Sequence, residues 1–168
     1  MDYLLIISGA GRNVGKTTLA CQLIEKYKKH VPITAVKISS HFHDLTPFQK
    51  IMIQQEGLII SEEKDRMSSK DSSRYLQAGA VHAFYMQSTA ENIPLVHHWM
   101  TENLKGWVIC ESASMGNHVI PDQAVFVSGN NSEKQPSWPY PFQTTLLSDG
   151  HFIPEITIDE SYLNTTFR

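Results

Sequence analysis

The run from Leu4 to Thr18 constrains this chain more than any other stretch. Leu4-Leu5-Ile6-Ile7 is a short apolar run of the buried-strand type, and Leu19-Ala20 with Leu23-Ile24 gives helical spacing from Thr17 to about Lys29. Between them lies Gly9-Ala10-Gly11-Arg12-Asn13-Val14-Gly15-Lys16-Thr17-Thr18. A strand that enters a glycine-rich bend and leaves as a helix matches the G-x-x-x-x-G-K-[ST] phosphate-loop pattern. The one relaxation is Ala10 at the first glycine, flanked by Gly9 and Gly11. The chemistry needs these residue types. Glycines let successive main-chain N–H groups close on phosphate oxygens with no Cβ in the way. The helix behind the loop turns its unpaired N–H groups and positive dipole end toward the same anion. The spacing therefore predicts that residues 11–16 (Gly11, Arg12, Asn13, Val14, Gly15, Lys16), with Thr17 and Thr18, hold a nucleoside triphosphate. Lys16 reaches the outer phosphates, and the Thr17 hydroxyl serves as a Mg2+ ligand. Neither the base nor cleavage of the phosphate follows from the loop.

A chain of 168 residues with 41% hydrophobic content suffices for one domain over 1–168. Folding at that length buries about 70% of the unfolded surface, so no disulfide is needed. Net charge is −3, with no basic cluster of more than a few residues. That balance speaks against nucleic acid as a partner. Cys21 and Cys110 sit in apolar contexts and read as small buried hydrophobes in a reducing compartment. No basic leader precedes the first apolar run, which is too short for a signal peptide or a membrane span. The expectation is a cytoplasmic protein without a membrane partner.

Strand and helix patterns alternate: strand 3–8, helix 16–29, strand 33–38, helix 71–78, strand 81–87, helix 93–104, strands 106–111 and 123–128, and weaker extended pieces at 144–147 and 155–158. Trp107-Val108-Ile109-Cys110 and Ala124-Val125-Phe126-Val127 are unbroken apolar runs, as in strands covered on both faces. The expected fold is α/β, a P-loop NTPase three-layer α-β-α sandwich with a mostly parallel sheet. Residues 45–64 interrupt it. Phe48, Ile51 and Met52 share a helical face, and Leu58-Ile59-Ile60 is strand-like after Gly57. The piece reads as a helix–strand excursion at the domain edge, or as a lid or homodimer contact over the site. The stretch 130–141, rich in Asn, Ser and Pro, reads as a surface loop.

In such sheets bound groups collect beyond the carboxyl ends of the strands. Glu111 falls there, as a carboxylate supporting magnesium or positioning the attacking water, and Asp44 trails another strand and is the alternative. Lys37 ends a strand as a second cation near the phosphates. His41 and His43 project to one side of an extended segment and form a candidate metal pair lacking an evident third ligand. His97-His98 diverge by about 100° on a helix and do not ligate together. Asn130 and Asn131 follow a strand and offer amides to a purine edge, or simply make a turn.

The chain also resembles a known family. Gly11-Arg12-Asn13-Val14-Gly15-Lys16-Thr17-Thr18-Leu19, Val36-Lys37 followed by His41-Phe42-His43-Asp44, Lys70-Asp71-Ser72-Ser73-Arg74 leading into Ala78-Gly79-Ala80, and Val108-Ile109-Cys110-Glu111 are similar, in that order, to the molybdopterin-guanine dinucleotide biosynthesis protein B family of small GTP-binding proteins. Ile38-Ser39-Ser40 interrupts that family's histidine-rich run, and Ser112 stands where the family has glycine. The resemblance implies GTP rather than ATP, slow hydrolysis, and an accessory role in guanylation of the molybdenum cofactor. It implies a molybdenum-cofactor nucleotidyltransferase or apoenzyme as partner, and adds Lys70, Asp71 and Arg74 as candidates. Two rivals stand beside it. One is a small-molecule kinase with Asp44 as acceptor base. The other is a nucleotide-gated carrier that hands over a metal or cofactor at His41 and His43.

Overall fold

Apolar runs alternate along this chain with amphipathic segments, and the fold follows from covering both faces of the strands that those runs form. The computed structural model describes residues 1–129, 135–148, 150–153 and 158. The strands are β1 (Tyr3–Gly9), β2 (Ile33–Ser39), β3 (Gln49–Gln55), β4 (Leu58–Glu63), β5 (His82–Ser88), β6 (Trp107–Glu111), β7 (Gln123–Ser128), β8 (Gln143–Ser148) and β9 (His151–Ile153). The helices are α1 (Lys16–Tyr27), α2 (Asp71–Ala78) and α3 (Ile93–Asn103). Among the described residues the strands form one nine-stranded sheet in the order β3-β4-β5-β2-β6-β1-β7-β8-β9. The strands from β5 to β8 in that order run parallel, and antiparallel pairs occur only toward the edges, β3/β4, β4/β5 and β8/β9.

Side-chain alternation sorts β1 into two cores. Tyr3, Leu5 and Ile7 join Leu19, Leu23 and Ile24 of α1 and Tyr75 and Leu76 of α2. Leu4 and Ile6 join Ile93, Val96 and Met100 of α3, with Met115 and Trp138. Helices thus cover both faces in an α-β-α layering. The helix ends are set locally. α2 stops at Gly79, whose φ of 113° lets its N–H return to the carbonyls of Tyr75 and Leu76. α3 carries Pro94 in its first turn.

One expectation is corrected and another refined. The segment 45–64 holds no helix. Gln49–Gln55 and Leu58–Glu63 form a β-hairpin that extends the sheet beyond β5, turning at Glu56-Gly57 with Gly57 at φ 70°. Phe48, Ile51 and Met52 are all exposed, so the spacing that mimics a helical face buries nothing. β4 is bonded to β5 and largely buried, which makes the hairpin part of the sheet. The loop expected at 130–141 is a loop over its described part, 135–141, and one side chain anchors it. Trp138 is buried, stacks on Tyr140 and meets Phe126 and Phe142 edge-on. The extended piece expected at 144–147 is β8. Of 155–158 only Ile158 lies among the described residues, and it is not in a strand. Asn130 and Asn131 lie outside the described residues. No helix among the described residues is long and apolar enough to cross a membrane.

Candidate functional site

β1 runs between β6 and β7, and its carboxyl end delivers the chain into the glycine loop. The loop is held at its base by the Ala10 N–H donating to the Val127 carbonyl at 2.9 Å. The tightest approach is at Gly9, where a Cβ would lie 2.8 Å from the Val127 oxygen, and Ala10 is only half-buried. The close approach falls at Gly9, beside the half-buried Ala10. Asn13 adopts φ 59° and Gly15 φ 102°. Asparagine tolerates that left-handed region, whereas any Cβ at Gly15 would also meet Leu147 Cδ2 at 2.8 Å. The loop ends at the amino end of α1, whose cap, Gly15, offers no side chain to the first N–H groups and whose first turn holds no acidic residue. Those donors and the positive end of the helix dipole face the loop with no built-in anion.

Glu111 meets this helix end from below. It closes β6, with Ile7 of β1 as its neighbour on one side and Lys37 of β2 on the other. Its side chain is 2% exposed, yet it is fully satisfied. The Thr17 hydroxyl donates to Oε2 at 2.7 Å, the Tyr75 hydroxyl donates to the same oxygen at 2.6 Å, and Lys37 Nζ donates to Oε1. Lys37 also pairs with Asp71 at 3.0 Å. Lys16 Nζ turns back and donates to the Gly11 carbonyl.

The electrostatics follow from burial and these partners. Burial is the largest single influence on Lys37 and lowers it, but Glu111 and Asp71 together outweigh burial and raise it above the usual lysine value. Lys16 is lowered, by burial first and by Lys37 as well, against the pull of Glu111. Burial and then Glu111 push Tyr75 well above an ordinary phenol, so it stays a hydrogen-bond donor.

The structure brings most of the predicted residues to one cavity of about 790 Å³. Arg12, Asn13, Gly15, Lys16, Thr17 and Thr18 line it together with Lys37, Glu111, Asp44, Lys70, Asp71 and Arg74. Two predicted residues stay off its lining. Gly11 contributes its carbonyl to Lys16, and Val14 packs against the α1 core. Oxygen ligands of the Thr17 and Glu111 type suit Mg2+, which keeps several waters and takes few protein ligands. His41 and His43 hold ring centroids 6.5 Å apart, and His41 Nε2 lies 3.1 Å from an Arg12 guanidinium nitrogen. No group of three His, Cys, Asp or Glu side chains suited to a metal occurs among the described residues. The pair gains no third ligand.

Sequence reasoning missed Tyr75, the second donor to Glu111. It also missed Gln87, fully buried, which clamps the main chain of His43 by accepting from its N–H and donating to its carbonyl. A signal for Tyr75 existed, since it lies one turn beyond Asp71 on the same face of α2. Gln87 had none, because only the sheet order brings the end of β5 beside the segment that follows β2. No protein-family model, curated protein or solved structure matches the chain.

Proposed function

We propose that the chain is a P-loop protein that binds a magnesium nucleoside triphosphate in this cavity. The observation that carries this reading is the 2.7 Å hydrogen bond from Thr17, at the uncapped start of α1, to the buried strand-end carboxylate of Glu111. A hydroxyl in the first turn of the loop helix and a carboxylate at an adjacent strand end are the two side chains that hold Mg2+ in phosphate-loop proteins. The residue 11–16 backbone cradles the phosphates, and Lys16 exchanges the Gly11 carbonyl for the outer phosphate oxygens. Lys37 adds a cation beside Glu111. Both oxygens of Glu111 are already engaged by three donors. That suits it to supporting a metal more than to taking a proton from water, in keeping with slow hydrolysis.

The family resemblance extends the reading to GTP over ATP, and to a cytoplasmic accessory role in molybdenum-cofactor guanylation beside a nucleotidyltransferase. Co-purification with such an enzyme tests that extension. A second reading, a small-molecule kinase, is favoured by Asp44, which lines the same cavity.

A melting screen with Mg–GTP and Mg–ATP tests the central reading. A ligand at 100 times its dissociation constant stabilises by about 2.7 kcal/mol, roughly 5–10 °C for a domain of this size. At least one nucleotide gives that shift in the wild type, and Lys16→Ala removes it. Shifts absent from the wild type, or unchanged in the variant, overturn the reading.

A further inference from the structure

Glu111, Lys37 and Tyr85 stand side by side in register across β6, β2 and β5. Adjacent strands are about 4.8 Å apart, so this row leads some 10 Å away from the loop side of the cavity. Its direction matters. If the loop backbone takes the inner phosphates while Lys16 and the Thr17-held metal take the outer ones, a triphosphate points its terminal phosphate toward Glu111 and Lys37. The nucleoside then lies away from β2 and β5. The part of the cavity past Lys37 faces the terminal phosphate and is left over by the nucleotide.

That remaining chamber is built rather than merely vacant. Its outer wall is the 39–49 connection, pinned at three points. Ser39 Oγ bonds the main chain of His41 at 3.0 Å, buried Gln87 grips both main-chain groups of His43, and Gln49 Oε1 accepts from the Thr46 N–H at 2.9 Å. The start of α2 also lines it, where Lys70 occupies the cap position without a side-chain capping hydrogen bond and Arg74 lies one turn on. Two acids face the same space, Asp44 and Asp71. Lys37 already holds Asp71, and Arg74 is only loosely paired to it at 3.8 Å. Lys70 makes no ion pair within 4 Å among the described residues. Lys70, whose charge also acts on Asp65, and Arg74, paired to Asp71 only at 3.8 Å, line the cavity together and match a phosphate group in charge and donor geometry.

We propose that the chamber past Lys37 is a second ligand subsite, and that it takes a small molecule bearing a phosphate group, held by Lys70 and Arg74 next to the terminal phosphate of the nucleotide. The inference rests on the nucleotide reading above and names the kind of second ligand that site accepts.

Calorimetric titration of inorganic phosphate into protein saturated with Mg2+ and a non-hydrolysable GTP analogue tests it. The wild type binds phosphate while nucleotide is bound. The Lys70→Ala/Arg74→Ala double variant binds it about tenfold or more weakly, the loss expected for charged hydrogen bonds, yet still melts higher with nucleotide. The conservative Lys70→Arg variant retains phosphate binding. No phosphate binding in the loaded wild type, or equal binding in the double variant, overturns the proposal. Should the wild type take no nucleotide, the same titration on free protein decides between the two ideas. Phosphate binding that survives Lys16→Ala and is lost in the double variant keeps the subsite and rejects the nucleotide reading. Binding lost in Lys16→Ala and kept in the double variant places phosphate in the glycine loop and rejects the subsite.

Discussion

At Lys37 two opposing influences meet on one ammonium. Burial lowers it, Glu111 and Asp71 raise it further, and the net is a lysine held charged beyond its ordinary value of 10.5. A basic group whose folded value is raised stabilises the fold fully below the unfolded value, and that stability is lost as pH rises through the folded one. Lys16, lowered by its burial, has the opposite sign and gains as pH rises. Lys37→Met leaves Glu111 buried with two hydroxyl donors and without its hydrogen-bonded counter-charge, a loss of about 3 kcal/mol at neutral pH. Urea unfolding from pH 8 upward should show the gap between wild type and variant constant at first, then narrowing above pH 10.5. A gap that widens with alkali contradicts the pairing. Lys37 and Glu111 were legible as strand-end residues in the sequence, but their partnership was not. They lie 74 residues apart, and only the adjacency of β2 and β6 makes them neighbours.

The elements divide by how clearly their residues repeat. β1, β6 and β7 are continuous apolar runs, and α1 carries its apolar residues at helical spacing, so local composition determines them. The β3–β4 hairpin was hidden because Phe48, Ile51 and Met52 fall three and four apart, while the decisive features are one glycine at φ 70° and partners on β5. Gly57 between two short apolar runs was the signal that pointed to a hairpin. The aromatic segment at 138–142 was masked by its prolines. Its role is packing. A Cβ on Gly116 would lie 2.5 Å from the Trp138 ring, and the Tyr140 hydroxyl donates to the Gly116 carbonyl at 2.6 Å. Trp138→Ala should therefore cost about 3–5 kcal/mol in equilibrium unfolding. A change under about 0.5 kcal/mol, the range of ordinary surface substitutions, contradicts its burial.

For the whole molecule, the sheet order matters most. With β1 between β6 and β7, and β2 beyond β6, the loop, Glu111, Lys37 and the start of α2 converge at one end of the sheet. The rule that sites form beyond strand carboxyl ends made that end legible from sequence, and it nominated Glu111, as the loop pattern nominated Thr17, 94 residues earlier. Which strands are adjacent is a property of the assembled sheet, so the Tyr75 and Gln87 contacts emerged only there. The most direct test is a titration of a fluorescent GTP or ATP analogue with and without Mg2+, on the wild type and on Thr17→Ala. The wild type saturates at one nucleotide per chain and tightens with Mg2+, and Thr17→Ala loses the Mg2+ effect. Equal binding with and without Mg2+, or a variant that responds to Mg2+ as the wild type does, contradicts the assignment of Thr17 and Glu111 to a metal-bound triphosphate.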